Sequence, residues 1–155
     1  MPPNIYKNPY DILCLGDSIT AGLVQGTLKT GGYRRKLQQL MVQPTSPLYG
    51  QPIRFIGLRE NNNGGDGLLF PRHGGIGGER VDQIQSRVAA ELASGSPRVV
   101  FLHASTNDAN QSYLIGTAAD RLATLWQTIL DYPTVQRVYV ANIINCQASN
   151  TTVFN

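Results

Sequence analysis

The chain is short of the residues that most often carry charge and bind metals. Only 15% of its 155 residues are charged, with two histidines, two cysteines and one tryptophan. No Cys-x-x-Cys pair or His/Cys ligand spacing occurs, which argues against a zinc site. Cys14 and Cys146 each lie in an apolar segment and read as buried free thiols. No apolar run approaches the length needed to span a bilayer. The opening MPPNIYKNPYD lacks the apolar stretch of a secretory signal; location stays open, since a leader can be removed. The net charge is +3, and apart from Arg34-Arg35-Lys36 the basic residues are scattered. The concentrated positive footprint required for nucleic acid is therefore missing.

What is present fits one folded domain. The hydrophobic fraction is 41%, enough for a sizeable core at this length. Four apolar runs read as strands: Tyr10–Leu15, Ile53–Ile56, Val99–His103 and Arg137–Ile144. They are continuous rather than alternating, as expected where both faces of a sheet are covered. Helical stripes lie between them: Tyr33, Leu37, Leu40 and Met41; Val81, Ile84, Val88 and Leu92; and Leu122, Leu125, Trp126, Ile129 and Leu130. Arg80, Gln83 and Arg87 are placed to face water on the second. The alternation predicts a three-layer α/β/α sandwich with a parallel sheet and right-handed crossovers. Working residues then belong in the loops after the strands, here after Leu15, Ile56 and Leu102.

Three stretches stand in those positions. In the first, DILCLGDSIT, an apolar run breaks at Gly16-Asp17-Ser18. Ser18 reads either as a cap for the next helix or as a nucleophile in front of helix N–H groups. The second is the long connection Gly57–Gly78, holding NNNGGDG and HGGIGG. It reads as a surface excursion or as a loop whose backbone approaches a ligand, and its density of Asn and Gly argues against a regular element. In the third, HASTND, Asn107 can aim an amide into the same crevice and Asp108 can cap a helix.

Together these stretches resemble the SGNH (GDSL-type) hydrolase family. GDSIT is similar to its first block, HGGIGGERVDQI to its second in the form of carbohydrate-active and fungal lipase-like members, and STND to its third, usually GTND. The resemblance spans nearly the whole chain and implies a flavodoxin-like fold. It implies Ser18 as acyl nucleophile and an oxyanion hole from the Ser18 N–H, the Gly75 N–H and the Asn107 side chain. Gly78 and Ile84 are then structural, while Asp17, His73, His103 and Asp108 are candidates for support or substrate contact. It implies no metal or organic cofactor, and an ester substrate, such as a small acyl or acetyl ester on a carbohydrate.

Two departures bear on this. Ser105 stands where the family has glycine, and a positive φ there would cost of order 1–3 kcal/mol. The resemblance also implies an Asp-x-x-His block carrying acid and base near the carboxyl end, and no such motif occurs in these 155 residues. The expectation is a C-terminally incomplete domain lacking the last strand and helix, with impaired activity. Its uncovered apolar face would favour self-association or a partner. The competing expectation is a non-catalytic binding domain that retains the cleft.

Overall fold

The computed structural model describes residues 9–24, 27–28, 31–60 and 68–143. Cys146, Ile144 and the NNNGGDG stretch fall outside them.

The sheet is built around β1 (Tyr10–Gly16), whose residues from Asp11 onward are all buried. After it come the short helix α1 (Ser18–Ala21), a small hairpin of β2 (Leu23–Val24) and β3 (Thr27–Leu28), and α2 (Tyr33–Met41). Then follow β4 (Ile53–Ile56), β5 (Arg59–Glu60), β6 (Arg72–Gly75), α3 (Val81–Leu92), β7 (Pro97–His103), α4 (Thr106–Asn110), α5 (Ala118–Leu130) and β8 (Arg137–Val140). β7 runs parallel along one edge of β1, and β8 parallel to β7. The other edge is shared. β4 pairs with Tyr10–Leu13, and β6 takes over at Leu15 and Gly16. All these pairings are parallel; β5 adds an antiparallel strand to β6.

Alternation along β1 feeds two cores. Leu13 and Leu15 pack with Ile84, Val88 and Leu92 of α3 and with Leu125 and Ile129 of α5. Ile12 and Cys14 face the other way, onto Phe55, Met41 and the flank of α2. Helices thus cover both faces, which is why the strands read as continuous apolar runs. The expected parallel three-layer α/β/α fold is what the chain adopts. Cys14 is a buried free thiol, and burial pushes its pKa up to about 12.

Three features differ from the sequence reading. The second half of the Gly57–Gly78 connection contains β6, a strand in the centre of the sheet, although Arg-His-Gly-Gly carries no β-branched or apolar pattern. Its place comes from register: Gly74 and Gly75 lie level with Leu15 and Gly16. In α2 the most buried positions are Arg34, Gln38 and Met41, whereas Leu40 is 52% exposed. Polar residues go inward there because neighbouring backbone carbonyls need donors. Finally, Arg87 does not face water; it reaches under α3 to the Gly16 and Gly74 carbonyls, at 3.1 and 3.0 Å.

Trp126, included in the α5 stripe, is 40% exposed, while Ile84 is fully buried. Replacing Ile84 with Ala is expected to cost about 2–5 kcal/mol in urea unfolding, and Trp126→Ala less than about 2 kcal/mol.

Candidate active site

Ser18 stands at the first position of α1, half-buried, where the chain leaves β1. The turn that presents it is tied at both ends. Asp17 caps it, its Oδ1 accepting the Ile19 N–H at 2.9 Å. At the far end Arg34, fully buried, donates to the carbonyls of Thr20 at 2.7 Å and Ala21 at 3.3 Å. A guanidinium there satisfies carbonyls that a helix this short cannot satisfy itself, and its charge complements the helix C-terminus. The Tyr33 hydroxyl adds a contact of 3.2 Å to Thr20 Oγ1. Arg34 also donates to the Pro71 carbonyl, and Gln38 bonds the Phe70 carbonyl and the Leu69 and Phe70 N–H groups. One face of α2 therefore holds both the serine turn and the strand that follows.

The turn packs directly on β6. A Cβ on Gly75 would stand 2.5 Å from the Ala21 nitrogen and 2.9 Å from the Asp17 carbonyl oxygen, so only glycine admits this approach. The Gly75 N–H is already engaged, donating at 3.0 Å to Nδ1 of His73. His73 is 3% exposed. Burial, and then the charges of Arg34, Arg59 and Arg87, push its pKa down to about 3. It is a neutral ring with its acceptor nitrogen occupied, which supports the β6 turn from beneath and disqualifies it as a general base.

Beyond Gly75 the chain turns outward through Gly77 and Gly78. Gly78 has φ +80° and open space where a side chain would be. A Cβ on Gly77 would lie 3.9 Å from that of Ser18, which places this turn against the serine. Asn107 reaches the far end of this turn from α4, its Nδ2 donating to the Glu79 carbonyl at 2.8 Å. That amide carries a second N–H. Asp108 is fully buried and structural: Oδ2 accepts the Val81 N–H at the start of α3 and Oδ1 accepts from Arg121 at 2.7 Å.

Asp17 and His103 are buried side by side with Thr106. Burial raises the Asp17 pKa, against the Ile19 N–H, the His103 charge and the Thr106 hydroxyl, which favour the carboxylate. Beside them Ser105 has φ +83°, the left-handed conformation for which glycine is suited, and its buried hydroxyl has no hydrogen-bond partner among the described residues. Among the described residues, no three His, Cys, Asp or Glu side chains gather as a metal site.

The serine, the glycine turn and the asparagine thus follow the carboxyl ends of β1, β6 and β7, with the turn against the serine and the asparagine bonded to the Glu79 that ends the turn. Residues 14–154 match the model of the GDSL-like Lipase/Acylhydrolase family. The chain belongs to that family. Its reaction class is the hydrolysis of acyl esters. The chain is similar to a Clostridium thermocellum family 3 carbohydrate esterase, with 27% identity and a TM-score of 0.77 over 94% of this chain and 67% of that one. A family 3 carbohydrate esterase from Talaromyces cellulolyticus shares the fold, with 22% identity and a TM-score of 0.65 over 93% of this chain and 67% of that one. TesA does so at 18% identity and a TM-score of 0.63, over 93% and 68% of the two chains. Comparison with curated protein sequences gave no significant match.

Two predictions follow from the strained and buried groups. Ser105→Gly removes both the left-handed strain and a buried hydroxyl without a partner, and should raise stability by about 1 kcal/mol in urea unfolding. His73 binds a proton in the unfolded chain near pH 6.5 but in the folded chain only near 3. Its contribution to stability is whole above pH 6.5 and is lost as pH falls, by up to about 1.4 kcal/mol per pH unit. The difference in unfolding free energy between the parent and His73→Asn, followed from pH 7 to 4, should show that slope. Asn can still accept the Gly75 N–H, its Oδ1 standing where Nδ1 does.

Proposed function

We propose that the chain hydrolyses small acyl esters, acetyl esters on carbohydrate among them, with Ser18 as the acyl nucleophile. The observation that carries this reading is the Gly77–Gly78 turn standing against Ser18, with a Cβ–Cβ spacing of 3.9 Å between positions 77 and 18, and the Asn107 amide bonded to the next residue of that turn, Glu79. The carbohydrate part is supported by the likeness to the Clostridium esterase.

In this reading the ester carbonyl lies over Ser18, and attack by Oγ forms a tetrahedral intermediate whose oxyanion is met by three N–H groups. Those are the Ser18 backbone N–H, the second N–H of Asn107, and the Gly78 N–H. Gly78 takes the place expected for Gly75, whose N–H is committed to His73. For Gly78 no hydrogen bond competes among the described residues, and its open surroundings leave an oxygen room to approach. Collapse of the intermediate leaves an acyl-Ser18, which water then hydrolyses. Attack also needs a base for the Ser18 hydroxyl. His73 is not that base, and no described residue is assigned the role.

The test is covalent labelling by a fluorophosphonate, read by intact mass and peptide mapping. One label per chain at Ser18, absent in Ser18→Ala, is the expected result, with Asn107→Ala slowing labelling about 10²–10³-fold. A folded protein that takes no label would instead point to a domain that binds in its cleft without reacting.

A further inference from the structure

The Asp17 carboxylate does more than cap a helix. Oδ1 holds the Ile19 N–H immediately behind Ser18. Oδ2 is buried, as are His103 Nδ1 and Thr106 Oγ1, and among the described residues none of the three meets a partner in good hydrogen-bond geometry, although the Thr106 hydroxyl stands near enough to favour the Asp17 charge. Three elements bring them together: the end of β1 at Gly16, the end of β7 at His103, which is level with Gly16, and the start of α4 at Thr106. Both the imidazole and the hydroxyl act on the Asp17 charge. Other charged groups near the turn are committed elsewhere. From α2, Arg34 donates to the Thr20, Ala21 and Pro71 carbonyls; from α3, Arg87 donates to the Gly16 and Gly74 carbonyls and pairs with Glu79 and Glu91. Among the described residues, the groups that act on the Asp17 charge and still lack a partner are His103 and Thr106; the Ser105 hydroxyl beside them also lacks one.

We propose that His103 is a positioning residue for Ser18: with the Thr106 hydroxyl it secures Oδ2 of Asp17, so that Oδ1 keeps the Ile19 N–H and the serine turn keeps its orientation. The chemistry is complementary. An ionised carboxylate only accepts, while a hydroxyl and a protonated imidazole nitrogen donate. Bonds of this charge-assisted kind are the short, strong ones. The arrangement prescribes a proton on Nδ1 of His103. It differs from His73, whose Nδ1 is an acceptor for Gly75. The proposal rests on Ser18 being the nucleophile, but its first readout does not.

That readout is the Ile19 amide resonance, because its N–H is bonded directly to Asp17 Oδ1 and reports the charge there. It is followed from pH 3 to 8 in the parent, His103→Asn, His103→Gln and Thr106→Val. The expected result is a titration whose midpoint rises in His103→Gln and Thr106→Val, by about half a pH unit or more, and stays near the parent in His103→Asn, whose amide nitrogen stands where Nδ1 does. Fluorophosphonate labelling of Ser18 should slow about tenfold in His103→Gln and show a shifted pH profile. An Ile19 midpoint unchanged in both His103→Gln and Thr106→Val overturns the proposal. If His103→Gln does not fold, Thr106→Val alone decides, since it removes one hydroxyl with little change of shape. If Ser18 labels in no protein, the nucleophile reading fails, while the Ile19 midpoints still decide the positioning.

Discussion

A buried ionic network under the strand ends determines where the site can form. Glu91 is fully buried and accepts from Arg59 at 2.6 Å, Arg87 at 2.8 Å and the Leu58 N–H at 2.9 Å. Arg87, so anchored, bonds Glu79 and the carbonyls of Gly16 and Gly74. One guanidinium from α3 therefore joins the last residues of β1 and β6 to the start of the outward loop. Ion pairs of this kind bring little net stability, because desolvation offsets attraction, but losing one partner strands a buried charge. The network holds Ser18 and the glycine turn at a common height, which hydrophobic packing of α3 alone would not specify.

The serine turn itself depends on a second cation. A four-residue helix forms too few internal bonds to persist alone. Asp17 at its beginning and Arg34 at its end supply what the helix lacks. The same Arg34, with Gln38, grips residues 69–71 just ahead of β6. The serine turn and the strand beside it are thus referred to one rigid face of α2.

The legible part of this arrangement was the part written in apolar runs and motif residues. β1, β4, β7 and α3 were evident because their burial is apolar, and Ser18 and Asn107 because they follow strands in recognisable blocks. β6 was not, because Arg-His-Gly-Gly forms a strand through register with β1 and not through its own propensity. Arg34, Gln38, Glu91 and Arg87 were hidden for a related reason: charged and amide side chains on a helix look like a solvated face until the carbonyls they meet are known. The run HGGIGG concealed which glycine N–H remains open, since that depends on His73 folding back onto Gly75. The substitution at Ser105 was visible in sequence; that it adopts φ +83° required the backbone.

The lock between His73 and Gly75 has a consequence for how rigid the parts of the site are. With the Gly75 N–H held by His73 and the Ile76 N–H by the Gly16 carbonyl, the N–H groups left to this side of the proposed site are those of Gly77 and Gly78, in an exposed turn beyond the sheet. The serine and the asparagine are referenced to the scaffold, one through α1 and the other through α4. The third group is referenced to a loop whose glycine can change its torsions at small cost. In the proposed site the cleft is thus asymmetric, with two fixed walls and one compliant wall, and that reading has differences in the size and shape of what enters absorbed on the glycine side.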